Sequence, residues 1–270
     1  MTVRWRVAAR VAPAAAVTVF MVGGLVVPLG LVLVELTAEP DRFGAVVRDS
    51  LSAAGRSVLL AVVVAAIALP PAVVVARSLS RARPAVRVVG ILLSLLPLLL
   101  NLLVVILAWL VVLEREGLVA VAWSALALPG DPPGILYTRS AAVLAMVYVV
   151  MPVMALILLD SFHRIDPRMR EAARMLGARP LTSLVRVELG FVAPALVTAF
   201  VMGYVICLNL YLVPEFLTGP DLTTLGLLVQ QDVIETFDLR QASSRALMLF
   251  VMAALPVCGA LAVDRGVRQR

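Results

Sequence analysis

The chain contains no lysine: all 23 of its basic residues are arginine. A Walker A loop needs its lysine to reach the nucleotide phosphates, so a P-loop ATPase of that kind is excluded from this chain. Histidine is nearly missing as well, and the single one, His163, falls in a polar segment where a solvated loop residue is the ordinary reading. No GxSxG or HExxH run occurs, and no paired carboxylates lie within an apolar stretch. The nucleophile, base or metal ligands of an intramembrane hydrolase are therefore lacking, and the chain is not expected to be an enzyme. Cysteine is limited to Cys207 and Cys258, far apart and inside apolar stretches, so small buried hydrophobes fit them better than a disulfide framework or a metal site. The formal charge of +6 is spread over short polar segments without an aromatic platform, which argues against a nucleic-acid partner.

What fills the chain instead is hydrophobe, 62% of 270 residues. A soluble domain runs at roughly 45–50% apolar, so this is an integral membrane protein. Six uncharged apolar spans emerge, at about 11–34, 57–76, 88–113, 140–159, 190–214 and 246–263. Each approaches the ~20 residues that cross the hydrocarbon core. The first follows Arg4, Arg6 and Arg10 and imitates a signal peptide, but it is too long for an apolar h-region and lacks a small-residue cleavage site, so it reads as a span. Every span contains proline, which neighbouring helices or a cavity must compensate. Residues 118–128 are apolar but too short to cross and read as an outer interfacial or re-entrant helix, and 222–237 as a second such segment. With no internal repeat or long linker, the expectation is one all-α, polytopic domain over 1–270 with six transmembrane helices.

Arginine sets the orientation. Sixteen lie before the first span, in 77–87, in 164–186 and in the tail, whereas seven lie in the alternate segments. By the positive-inside rule both termini and 164–186 are expected in the cytoplasm. None of the six spans contains Asp, Glu or His. A proton-coupled transporter needs titratable groups at that depth, so a motor outside the chain is the simpler expectation.

The one long polar stretch, 160–189, organises the rest. Asp166 can cap a helix, Pro167 suits its first turn and Gly177 can end it with a positive φ. Met169, Ala172, Ala173 and Leu176 then share one face, with Arg168, Arg170, Glu171 and Arg174 on the others. Pro180 can open a second helix toward Leu184 and Val185.

The order Glu171, Ala172, Ala173, Gly177, Ala178, then Val187 and Pro194 resembles the EAA loop of ABC importer permeases. Gly190 and Ala195 depart from the family pattern, which usually has Pro at the first position and Pro-Gly at 194–195. The stretches 95–119, 135–178 and 211–230 look like the spermidine/putrescine branch of that class. The resemblance implies a type I ABC importer permease fold in the bacterial inner membrane. Residues 160–189 would dock an ATP-binding subunit, two copies per complex, through Met169, Glu171, Ala172, Ala173, Leu176, Gly177 and Ala178. It implies a second permease subunit, identical or related, an extracytoplasmic solute-binding protein, and a polyamine or other small solute. No cofactor belongs to this chain, ATP and Mg being held by the partner ATPase.

Polar residues of the spans supply candidates for the solute path. Tyr204, Tyr211 and Glu215 recur at i, i+7 and i+11 on one face of the fifth helix, Asn209 is nearby, and Asn101 interrupts the third. The same groups read equally well as hydrogen-bonding ties between helices. A self-contained secondary transporter and a non-transporting scaffold are the alternatives from other classes.

Overall fold

The computed structural model describes residues 30, 40–126, 130, 134–166, 168, 169, 171, 175, 177, 180–219 and 222–268. The expected first span, 11–34, lies outside them apart from Gly30. Among the described residues every regular element is helical, in keeping with a lipid-embedded chain that must satisfy its backbone internally.

The elements are α1 (Pro40–Arg81), α2 (Pro84–Leu99), α3 (Leu102–Leu113), α4 (Leu118–Ala125), α5 (Arg139–His163) and α6 (Pro180–Ser183). A π-helical turn, Leu184–Glu188, leads into α7 (Leu189–Asn209), followed by α8 (Leu212–Thr218), α9 (Leu225–Ile234) and α10 (Leu239–Arg268). Among the described residues four helices are long and apolar enough to cross a membrane: Phe43–Arg81, Arg139–His163, Leu184–Asn209 and Leu239–Ala260. A bent pair, Pro84–Leu99 with Leu102–Ala125, raises the number to as many as five.

The core is a three-helix seam of α1, α5 and α7. α1 contributes a stripe of small residues, with Ala61, Ala65, Ala68, Ala72 and Ala76 all essentially unexposed. Small side chains let helix backbones approach, which is how apolar helices gain packing where no hydrophobic difference from lipid exists. α5 fills the other side with Met146, Val150, Met154, Leu158 and Phe162. Gly203 makes the α5–α7 crossing close: a Cβ there would sit 2.8 Å from the Met154 sulfur. α10 packs on α1 and α7, and α9 lies against α10.

Two expectations change. Residues 88–113 do not form one helix: α2 ends at Leu99, and the axis turns by 96° before α3. Asn101 causes much of this, because its side chain accepts the Leu103 N–H at 2.9 Å and so starts a new helix rather than continuing the old one. The fifth span is likewise interrupted, at Leu210 with ψ 44°. A continuous helix would press the Pro214 ring into the Leu210 carbonyl and leave that carbonyl without its donor; restarting at Leu212 puts Pro214 in a first turn, where no N–H is needed. Tyr204, Tyr211 and Glu215 therefore do not share one unbroken helical face.

Candidate solute pathway and coupling segment

One end of the bundle is basic, gathering Arg77–Arg87 and the segment after α5. Here Asp166 Oδ1 accepts the Arg168 N–H at 2.9 Å, and the Asp166 carbonyl accepts the Met169 N–H at 3.1 Å. Arg168, Met169, Glu171 and Met175 are helical, and Gly177 turns the chain with φ +78°. Met169, Glu171, Met175 and Gly177 are exposed. Ala172, Ala173, Leu176 and Ala178 lie outside the described residues.

Beyond this segment the backbone enters α6, passes through the π-helical turn and runs through Gly190 into α7. The last residue of that turn, Glu188, is fully buried. Arg77 donates to it from Nε at 3.1 Å and from Nη2 at 2.8 Å, and Arg81 Nη2 reaches both carboxylate oxygens at 2.8 Å. Arg77 and Arg81 are one turn apart at the end of α1, so both guanidiniums meet the same carboxylate. Arg87 closes the same end by donating to the Leu79, Ser80 and Ala82 carbonyls, each at 3.2 Å, at and just past the C-terminus of α1, where helix carbonyls lack their regular donors; that of Leu79 also accepts the Ala82 N–H.

The opposite end is acidic and is also tied down by polar groups. Arg245 of α10 donates to both oxygens of Asp232 at 2.6 and 2.7 Å, to Ser50 Oγ at 3.0 Å and to Asp49 at 3.3 Å. Ser57 Oγ accepts the Leu225 N–H at 2.8 Å, and Arg56 donates to the Thr223 carbonyl at 3.0 Å. The segment entering α9 is thereby stitched onto α1.

The pathway candidates are scattered among these features. Asn101 is exposed at the α2–α3 break, where it acts as a cap. Tyr204 is buried, and its hydroxyl donates to the Met252 carbonyl at 3.3 Å, tying α7 to α10. Asn209 is exposed and turns its amide back on the Val205 carbonyl at 2.8 Å. Tyr211 packs over Gly226 so closely that a Cβ there would lie 2.8 Å from the tyrosine Cβ. Glu215, beyond the end of the span, keeps one carboxylate oxygen buried without a hydrogen-bond partner among the described residues, as Gln230 does its amide oxygen. Burial, reinforced by the charge of Glu235, holds the Glu215 carboxyl above the usual range. Between α3 and α5 lies an apolar recess of about 250 Å³, whose walls include Leu100, Val104, Trp109 and Tyr148. Trp109 and Tyr148 meet edge to face at 5.9 Å.

Neither ion cluster was among the sequence-derived candidates. Glu188 follows Val187, a position of the EAA-like order, at the mouth of the span that begins at 190, so a charge at that mouth was the available signal. Arg77 and Arg81, at i and i+4 on the end of the preceding apolar helix, were its natural complement.

The helical arrangement is shared with a bacterial alginate ABC transporter crystallised with an alginate pentasaccharide-bound periplasmic protein: the TM-score is 0.76 at 15% identity, over 97% of each chain. A second structure, of a bacterial ABC transporter involved in alginate import, gives 0.75 at 14% identity over 97% of this chain and 98% of that one. In sequence, the chain is 25% identical to the spermidine/putrescine transport system permease protein PotB of Haemophilus influenzae, over 66% of this chain and 62% of the relative. It is 23% identical to PotB of Escherichia coli, over 46% of this chain, and spans only 45% of that relative. The putrescine transport system permease protein PotI of Escherichia coli is 29% identical over 29% of this chain and 28% of its own. Residues 68–269 match the family described as binding-protein-dependent transport system inner membrane component, three quarters of the chain. The chain belongs to that family, and is a multi-pass, non-catalytic permease subunit of the inner membrane.

Proposed function

We propose that this chain forms part of the solute path of an ATP-driven importer and receives the motion of a separate ATPase through residues 160–189. The observation that carries the reading is the exposure of that segment at the basic end of the bundle. Met175 is 90% exposed and Met169 42%, on a stretch too polar to enter lipid, so these apolar side chains suit a protein partner better than water. The Glu171-Ala172-Ala173…Gly177 order supports the ATPase as that partner. Six spans, with 11–34 as the first and both termini in the cytoplasm, complete the arrangement. A second permease subunit and an extracytoplasmic binding protein complete the complex. The solute is a small cation of the polyamine kind: the relatives' names support it, and so does Glu215, a carboxylate with a buried oxygen that a cationic donor would satisfy.

Affinity purification of the tagged chain from its own membranes tests this, with putrescine uptake into right-side-out vesicles that enclose ATP and are supplied with the extracytoplasmic binding protein measured alongside. An ABC ATPase should co-elute, and Gly177→Val and Ala173→Asp should lose it while remaining in the membrane. Parental chain that elutes without an ATPase sinks the reading.

A further inference from the structure

A carboxylate at the mouth of a membrane helix is costly to bury, and Glu188 has no exposure at all, yet every oxygen is engaged by guanidinium. Such a cluster is weak grounds for stability, since apolar side chains of similar size often do as well or better. What it supplies is geometry. Two arginines on successive turns of α1 grip one carboxylate from two directions, which fixes both the distance and the rotation of the α7 entrance against α1. The grip falls in the π-helical turn, where the helical ladder is interrupted and the backbone can change register at least cost. On its other side the receiving end is stiffened by Arg87, and α1 runs as one helix to Ser50, Arg56 and Ser57 at the acidic end.

We propose that Glu188, held by Arg77 and Arg81, is the joint through which movement of the 160–189 segment is passed to α1 and so to the opposite end of the bundle. The joint rests on that segment's being the ATPase dock. It makes Glu188 a positioning residue for coupling: it touches neither nucleotide nor solute, but decides whether a push on the segment moves the membrane helices together.

The experiment uses the assembled complex in proteoliposomes, comparing parental, Glu188→Gln and Glu188→Asp chains. Membrane abundance, ATPase capture, ATP turnover and putrescine moved per ATP are read in parallel. Glu188→Gln should keep abundance and capture and lose about fivefold or more in solute moved per ATP, the range of a typical coupling energy between sites. Glu188→Asp, which keeps the charge, should recover most of that ratio. A purely structural role would lower abundance and leave the ratio of surviving complexes unchanged, and that result overturns the joint. Should Glu188→Gln fail to accumulate, the apolar triple variant Glu188→Leu, Arg77→Met, Arg81→Met removes the buried charge altogether and should insert but uncouple. Parental stoichiometry in the triple variant, or its failure to accumulate, also overturns the proposal. If the parental chain captures no ATPase, the fault lies with the docking reading; capture with an unchanged ratio in Glu188→Gln sinks the joint alone.

Discussion

At the scale of single residues, the decisive groups are arginines that have given up water. Arg245 is 7% exposed and meets Asp232, Ser50 and Asp49 together. Replacing Arg245 with Ala leaves Asp232 as a buried charge with its main partner gone, and breaking such a pair costs about 3–5 kcal/mol. Arg245→Met with Asp232→Leu removes both charges and should cost far less. Thermal unfolding in detergent, followed by the loss of monodisperse protein, should therefore rank the single variant well below the double. Equal losses would show that the side-chain volume matters and the charge does not. The sequence shows the single members of this cluster and of the Glu188 cluster but not their pairing: Glu188 lies 111 residues from Arg77, and Arg245, 13 residues from Asp232, lies 195 from Ser50. Positive φ was legible only where glycine supplied it. Gly177 has φ +78°, the value its place after an apolar helical stripe called for, whereas Phe237 adopts φ +54° with nothing in its residue type to announce it.

At the scale of elements, hydropathy found the helices and missed their breaks. The expected spans 57–76 and 140–159 fall wholly within long apolar helices, 190–214 does so as far as Asn209 and 246–263 as far as Ala260, because some 20 consecutive apolar residues are a property of the chain itself. The turns at Leu100–Asn101 and at Leu210 depend on a side-chain cap and on a proline four residues downstream, effects that a window average removes. Gly117 shows how tight such a junction is. It joins α3 to α4, and a Cβ there would lie 2.4 Å from the Val111 carbonyl oxygen and 2.8 Å from that of Val112. These are backbone atoms and cannot swing aside, so Gly117→Ala should strain the junction by about 1–3 kcal/mol. Gly203→Ala meets the Met154 side chain instead, which has rotamers to explore, and should cost less. Limited proteolysis between α3 and α4 in the two variants distinguishes them: faster cleavage in Gly117→Ala than in Gly203→Ala is the expected order. In the segment after α5, Gly177→Val meets no clash among the described residues, none of which comes within 4 Å of its Cβ, and the cost is that of the conformation, about 1–3 kcal/mol.

At the scale of the whole molecule, the two ends of the bundle differ in charge, and the packing preserves that difference. α1, 42 residues long, runs between them, with its alanine seam buried on α5 and α7. At the basic end Arg77 and Arg81 share the one carboxylate of Glu188. At the acidic end Arg245 is matched by Asp232, which removes one of the few positive charges there. One carboxylate is matched within each end, so the asymmetry of sixteen to seven arginines survives the pairing, and positive segments are retained in the cytoplasm. Orientation can be read from two exposed positions: Met175, 90% exposed in the segment after α5, and Phe237, 79% exposed between α9 and α10. α7, 21 residues and so about 31 Å long, separates them across the bundle. With Cys258, which is exposed, and the buried Cys207 first replaced, Met175→Cys and Phe237→Cys each offer a single thiol. In intact cells an impermeant maleimide should label position 237 and leave position 175 untouched until the membrane is opened. Labelling of position 175 from outside would invert the molecule, and with it the placing of residues 160–189 in the cytoplasm.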